Sequence, residues 1–191
     1  MLLKKFIRII RNFICSIGLL IITPFLIFAA LAIIFEDGMP IFFIQKRVGK
    51  DQIIFKIIKM RTLKTEAPDT GTHQLDEKYQ LNCGKILRKL KLDEFPQLIN
   101  VIRGDINLVG PRPGLLSQSE LTKNRLAKDV YKIKPGITGL SQVLGYDMSD
   151  PLKLAEIDKI YIDNQSYFID FLILVATFLK YPNNYLIKLT K

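Results

Sequence analysis

A chain of 191 residues with 28 Lys and Arg against 18 Asp and Glu has room for one domain and a membrane element, not for two full domains. Its net charge of +10 suits an anionic partner, whether nucleic acid, an anionic membrane surface or a phosphorylated substrate. Two cysteines, Cys15 and Cys83, exclude a disulfide framework, and the single histidine, His73, leaves no basis for a histidine-based triad or a Cys/His metal cluster.

The N-terminus is basic at Lys4, Lys5, Arg8 and Arg11, and no charged residue follows from Asn12 to Phe35. That run is long enough to cross a bilayer, but Thr23 and Pro24 break it in the middle. Each half, at 1.5 Å per residue, reaches only about 16 Å, roughly half the hydrocarbon core. Lys46, Arg47, Lys50, Lys56, Lys59, Arg61 and Lys64 follow closely, so both flanks are basic and the positive-inside rule keeps both in the cytoplasm. The expectation is a bent helix over residues 1–36 that enters one leaflet and returns. A kinked but spanning helix is the alternative. Ala30-Leu31-Ala32 imitates a signal-peptide cleavage box, yet the apolar run continues through Ile33, Ile34 and Phe35.

Glu36-Asp37-Gly38 reads as a turn. Residues 40–45 read as a strand, 47–51 as a hairpin connection and 52–60 as the return strand. Residues 64–80 form a polar loop. Asn82 is placed to cap a helix that runs on through Leu90. Phe95, Leu98, Ile99 and Ile102 then recur at i, i+3, i+4 and i+7, which predicts a short helix with Pro96 in its first turn and Gly104 at its stop. Asp93, Gln97 and Asn100 share its opposite face. Asp93 and Glu94 fall at the positive end of that helix dipole. Taken alone they are ordinary helix-start acids. Among Arg88, Lys89, Lys91, Arg103 and Arg112 they suit a metal and phosphate site.

Residues 105–109 alternate like a strand, and Gly110-Pro111-Arg112-Pro113 then locks the backbone, holding Arg112 between two residues of fixed φ. A guanidinium so held is suited to gripping phosphate, and a rigid turn with an exposed arginine is the plainer reading. Residues 115–130 read as a mixed-charge helix. Residues 133–143 form an ordered loop whose glycines let backbone N–H groups approach a phosphate or nucleobase. Ser166 caps a last helix over Tyr167–Leu179, with Asp170 in its first turn. That helix is too short to span a bilayer and is destined for the core or the membrane interface. Lys180, Tyr181, Tyr185, Lys188 and Lys191 give the tail a headgroup-like composition. The fold class expected is α+β, mostly helical with a short β-hairpin or small sheet.

Leu92-Asp93-Glu94-Phe95-Pro96-Gln97-Leu98, Gly104-Asp105, Leu108-Val109-Gly110-Pro111-Arg112-Pro113 and Lys134-Pro135-Gly136-Ile137-Thr138-Gly139, in this order, resemble the bacterial sugar transferase family. These are the monotopic polyprenyl-phosphate phosphoglycosyl transferases, here of the small, catalytic-domain-only type. The resemblance implies a re-entrant membrane helix over residues 1–36 and a catalytic domain over 37–191 with an interfacial C-terminal helix, on the cytoplasmic face of the bacterial inner membrane. It implies transfer of a sugar-1-phosphate from a UDP-sugar to polyprenol (undecaprenol) phosphate. The products are polyprenol-diphosphate-sugar and UMP, the first membrane step of glycoconjugate biosynthesis, with downstream glycosyltransferases as further candidate partners. Asp93 carries over as nucleophile, and Asp93 with Glu94 as the Mg²⁺ site. Glu94 can also manage the acceptor's proton. Arg88 and Arg112 carry over as phosphate ligands. Lys59 is a candidate third, its alternative being a surface strand lysine. Pro111, Pro113, Pro135, Gly136, Thr138 and Gly139 carry over as a nucleotide-binding loop. One departure stands out: many relatives have Gly-Arg where this chain has Gly145-Tyr146. Two other readings compete. A membrane-attached binder of nucleic acid or anionic lipid would explain the charge but not the Asp-Glu pair, and no nucleic-acid module is evident. A degenerate scaffold would fit Tyr146 but not the intact pair.

Overall fold

A computed structural model describes residues 2–68, 76–179 and 184–190, with side chains from Lys5 onward. Gly71, His73, Lys180, Tyr181 and Lys191 lie outside the described residues, as does the side chain of Lys4. The chain divides into two compact units: Met1–Gln45 with Ile57–Ile102, and Lys46–Lys56 with Arg103–Lys191. The architecture is α+β, helical for the most part, with two small two-stranded sheets among the described residues.

In the first unit, α1 (Leu2–Asp37) is one helix with Pro24 inside it. Pro24 has no N–H to give the Leu20 carbonyl, and next to it Thr23 Oγ1 adds a bond to the Leu19 carbonyl at 2.7 Å. The expected break is therefore a local loss of helix hydrogen bonding, and the helix does not end there. Ala29 and Ile33, one turn apart, pack with Met60, Leu81 and Leu87 in this unit's core. Farther back, Arg11 Nη2 donates to the Val101 carbonyl and Asn12 Nδ2 to the Ile102 carbonyl, each at 3.3 Å. Much of the rest of α1 is bare: Leu20 is 75% exposed, Phe28 71% and Phe35 87%. An apolar surface of this length belongs against lipid and not water. The protein is a membrane protein through α1.

The end of α1 is tied down by its two acids. Asn82 does not cap α2 (Asn82–Lys89); it is that helix's first residue. Glu36 does the capping, accepting from the Asn82 N–H at 2.6 Å and the Cys83 N–H at 2.9 Å. Burial pushes the Glu36 carboxyl up, but these hydrogen bonds outweigh it and hold the group below its ordinary value. Asp37 pairs with the buried Arg61 and accepts from the Thr65 N–H at 2.9 Å. The Arg61 hydrogen bond, followed by that from Thr65, lowers the Asp37 carboxyl too.

The expected hairpin is present as β1 (Phe42–Val48) and β2 (Ile54–Met60). The turn between them carries Asp51 and Gln52 at φ of 51° and 59°.

In the second unit, β3 (Asn107–Val109) pairs in parallel with β4 (Gly136–Thr138), Asn107 opposite Gly136 and Val109 opposite Thr138. The expected loop at 133–143 thus contains a strand and the short helix α5 (Leu140–Val143). The expected helix over 115–130 is shorter, α4 (Ser119–Ala127), because Asp129 takes a φ of 59° and starts a separate 3₁₀ turn. Sequence reasoning did not anticipate α6 (Pro151–Asp163), which starts on Pro151 with Asp150 capping the Lys153 N–H at 3.0 Å. α7 (Tyr167–Leu179) falls where expected, with Ser166 Oγ accepting from the Ile169 N–H at 3.3 Å. Its Ile169, Ile173 and Ala176 join Val109, Leu140, Ile157, Tyr161 and Leu186 of α8 (Asn184–Lys188) in the core, while Phe168, Phe171 and Phe178 stay exposed.

Candidate active site

The site in the first unit is built on the end of β2. Gly84, inside α2, lies so close to Thr62 that a Cβ there would meet the Thr62 carbonyl oxygen at 2.4 Å. One turn later on the same face, Arg88 Nε donates to Thr62 Oγ1 at 2.9 Å. Lys91, at φ 57°, then turns the chain into a 3₁₀ turn over Leu92–Glu94. Asp93 and Glu94 therefore precede the expected helix and are not its first residues, since α3 runs from Gln97 to Arg103. Pro96 has no N–H to bond the Leu92 carbonyl, so the helix ladder cannot run back through it. The Phe95 N–H bonds Leu92 in the tighter 3₁₀ pattern, at 3.4 Å. The helix stop is as expected, with Gly104 at φ 87°.

The face shared by Asp93, Gln97 and Asn100 is polar but not solvated: their exposures are 8%, 2% and 0%. Asn100 Oδ1 accepts from the Ile58 N–H on β2 at 3.1 Å, which fixes α3 against the strand. Next along β2, Lys59 Nζ lies 2.6 Å from Glu94 Oε1, with side chains only 14% and 20% exposed. Lys59 is thus no surface strand lysine. Burial, then the Glu94 charge, pushes the Asp93 carboxyl up, and Lys59 and Arg88 pull against that shift. The result is a buried carboxylate beside a second one, with two cations close enough to steady both. Such a group can act as a nucleophile when it is ionised.

In the second unit, the proline–arginine–proline segment is a turn with its carbonyls spoken for. Pro111 O accepts from the Gly136 N–H at 3.0 Å, Arg112 O from Arg125 Nη1 at 2.8 Å and Pro113 O from Arg47 Nη1 at 3.2 Å. Arg112 itself is half-buried. The glycines of the two motifs serve close packing. A Cβ on Gly136 would lie 2.1 Å from Gly110 N, and one on Gly139 would lie 2.3 Å from Gly110 O. The N–H groups of Gly110 and Gly136 already bond Thr138 O and Pro111 O. The Thr138 hydroxyl lies 2.7 Å from that of Thr177 on α7, and Pro135 O accepts from the Asn107 N–H at 2.8 Å. Tyr146 is 40% exposed, with its N–H on the Ser141 carbonyl at 2.9 Å.

The profile of the family described as Bacterial sugar transferase matches residues 3–184. The chain belongs to the bacterial sugar transferase family. The uncharacterized sugar transferase EpsL of Bacillus subtilis is 39% identical over 163 residues, covering 85% of this chain and 80% of that protein. A UDP-glucose:undecaprenyl-phosphate glucose-1-phosphate transferase of Caulobacter vibrioides is 40% identical over 126 residues, 64% of this chain and 47% of that protein. A UDP-N-acetylgalactosamine-undecaprenyl-phosphate N-acetylgalactosaminephosphotransferase of Aeromonas hydrophila is 34% identical over 168 residues, 84% of this chain and 40% of that protein. The sugar transferase chain thus spans under half the length of these two relatives with named activities.

Asp93 and Glu94 suit a hard divalent cation. A cation would relieve the burial and mutual repulsion that raise the Asp93 carboxyl. Among the described residues no cluster of three or more His, Cys, Asp or Glu forms a closed cage. Mg²⁺ does not need one, since it is commonly held by one or two carboxylates, water and substrate phosphates.

Sequence reasoning missed three features of this transferase: the Glu36 cap, the Arg61–Asp37 pair and a buried pair, Arg125 with Asp158. Arg125 is 1% exposed and Asp158 2%. The partners in these contacts are 24 to 47 residues apart. A charged residue destined for burial carries no periodic mark of it, so no local signal could have found them.

Proposed function

We propose that this transferase moves a sugar-1-phosphate from a UDP-sugar to a polyprenol phosphate, through a covalent intermediate on Asp93. The observation that carries the reading is the buried Asp93 beside the Glu94–Lys59 pair, with Arg88 held on Thr62. In the first step an Asp93 carboxylate oxygen attacks the sugar-bearing phosphorus. The bond from that phosphorus to the bridging oxygen breaks, and UMP leaves with the oxygen. In the second step a phosphate oxygen of the polyprenol phosphate attacks the same phosphorus and the Asp93 carboxylate departs, giving polyprenol-diphosphate-sugar. One phosphoanhydride replaces another, so the donor supplies all the energy needed.

Burial and Glu94 raise the Asp93 carboxyl, and Lys59 and Arg88 draw it back toward the ionised form that attacks phosphorus. Arg88 also binds phosphate oxygens, a role carried over from the resemblance together with that of Arg112. Glu94, steadied by Lys59, takes up or directs the acceptor's proton. Asp93 and Glu94 are the residues that would hold Mg²⁺, which when bound neutralises diphosphate charge that repels a carboxylate.

The substrates' chemistry agrees with the membrane element. The donor dissolves in water, while the acceptor's phosphate lies at headgroup height. The reading puts the enzyme on the cytoplasmic face of the inner membrane with α1 returning to that face. In its support, Arg11 and Asn12 near one end of α1 and Ala29 and Ile33 near the other all contact the compact unit that carries Asp93.

The relatives' names specify glucose in one case and N-acetylgalactosamine in another, so the donor is found by assay. UMP release is measured with Mg²⁺, polyprenol phosphate and a panel of UDP-sugars. The expected result is release from one or a few donors, abolished by Asp93→Asn. Sustained turnover by Asp93→Asn, without reversion of the side chain to Asp, would refute the covalent scheme.

A further inference from the structure

We propose that the buried Arg125–Asp158 pair is a positioning device for Arg112. The inference rests on the function proposed above, in which Arg112 is a phosphate ligand. Arg125 on α4 uses Nε and Nη2 on one oxygen of Asp158 on α6, at 2.9 and 2.6 Å. The other oxygen, Asp158 Oδ1, accepts from Ser141 Oγ on α5 at 3.2 Å. A simple tie between two helices would end there. Arg125 has a third donor, Nη1, and it reaches the main-chain carbonyl of Arg112 at 2.8 Å.

That carbonyl is the decisive atom of the turn. Pro111 and Pro113 have φ fixed by their rings, so the freedom left to the segment lies largely in the two torsions of Arg112 itself. Anchoring the Arg112 carbonyl sets the second of these, and with it the direction in which the side chain leaves the backbone. The neighbours are pinned too. Pro111 O is held by the Gly136 N–H at 3.0 Å, Pro113 O by Arg47 Nη1 at 3.2 Å and Gly114 O by the Val48 N–H at 3.1 Å. Every carbonyl from Pro111 to Gly114 therefore faces a donor of the protein. None is left as an uncovered negative end to repel a phosphate beside the arginine.

Stability alone is a poor account of the pair. A buried ion pair contributes little compared with apolar packing of the same volume. A guanidinium, unlike an ammonium, holds several donors in one rigid plane, so the fork on Asp158 fixes where Nη1 points. Ser141, on the same carboxylate, lies on α5, two residues after Gly139 of the second motif. A single buried charge thus orders both the Arg112 turn and the segment after Gly139.

The test is a double-mutant cycle on UMP release by the full chain, with kcat and donor KM measured separately. Arg112→Ala is expected to lower kcat/KM for the UDP-sugar roughly a hundredfold, as for loss of one transition-state donor. Arg125→Lys keeps a charge for Asp158 but loses the fork, and is expected to cost about tenfold. In the Arg112→Ala background, Arg125→Lys should change the rate less than about twofold, because the group it aims is gone. If the two losses instead multiply, Arg125 acts only on the fold and the inference is overturned. If Arg125→Lys does not fold, Asp158→Asn takes its place in the cycle, with the same expected and refuting results. A wild-type chain that releases no UMP from any donor would overturn the proposed function and this inference together. Turnover that is lost in Asp93→Asn, with multiplying losses in the cycle, would overturn the inference alone.

Discussion

Gly84→Ala separates this structure from a purely local reading of the sequence. Gly84 is the third residue of α2, and in an isolated helix replacing it with alanine would be stabilising by about 1 kcal/mol. In this chain the new methyl would meet the Thr62 carbonyl oxygen at 2.4 Å, and the Thr62 carbonyl carbon and Cα at 3.0 Å. These are main-chain atoms that cannot rotate away, so α2 must retreat by about 1 Å to reach ordinary van der Waals contact. Overpacking of this kind costs about 1–3 kcal/mol, and a main-chain obstacle places it near the upper end. The net effect is a loss of about 2 kcal/mol, or roughly 4–8 °C in melting temperature for a chain of this size. The retreat also pulls Arg88, one turn along, off Thr62 Oγ1, from which it lies 2.9 Å away. A displacement of about 1 Å near the reacting groups is worth up to a hundredfold in rate. Melting is followed by circular dichroism in detergent, and UMP release by a coupled assay. A melting temperature that rises, with turnover unchanged, would show that α2 does not rest on Thr62 as described.

Three further results are expected. Glu36 and Asp37 both have lowered carboxyl values in the folded state. Their contribution is therefore full above the unfolded value of about 4 and is lost as pH falls through the folded values, so Glu36→Gln should lower the melting temperature at pH 7 and converge with wild type toward pH 3; a gap independent of pH would contradict this. Lys59→Met removes a cation that draws the Asp93 carboxyl down, so the acid limb of the UMP-release profile should move to higher pH and the plateau fall about tenfold or more, and an unshifted limb would remove Lys59 from the electrostatics of the dyad. A cysteine placed at Leu2, with Cys15 and Cys83 changed to serine, should react with a membrane-impermeant thiol reagent from the cytoplasmic side of sealed vesicles, whereas reaction only from the opposite side would establish a spanning helix.

The sequence was most legible where chemistry and period coincide. The hairpin, the stop of α3 at Gly104 and the start of α7 on Ser166 each have a residue whose local physics dictates the element. The dyad's setting was misplaced by one turn. Hydrophobic spacing from Phe95 onward marks a helix face, but spacing says nothing about the missing donor at Pro96 that delays the ladder. Glycine was also ambiguous. In the 133–143 segment the residue that lets a backbone approach a phosphate is the same one that lets two backbones approach each other. The distances of 2.1 and 2.3 Å show that packing is one use made of Gly136 and Gly139. What could not be read at all were contacts between distant charged residues, of which Arg125 with Asp158 is the most buried.

The helix α1 illustrates how a segment can satisfy two solvents. Its apolar length marks it as a membrane element, and by composition alone it is an anchor that could be exchanged for another. Its contacts say otherwise. Arg11 and Asn12 donate to the carbonyls of Val101 and Ile102 at the end of α3, which would lack partners from within the helix. Ala29 and Ile33 fill the core against Met60, next to Arg61 and Thr62 at the end of β2. Glu36 caps the helix that carries Arg88. The helix that carries Arg88, the strand that carries Lys59 and the helix that follows the Asp93–Glu94 turn are therefore each completed by α1. Deleting α1, or replacing it with an unrelated anchor, would remove a wall of the unit that holds the dyad, so α1 is part of the site's framework as well as its apolar anchor.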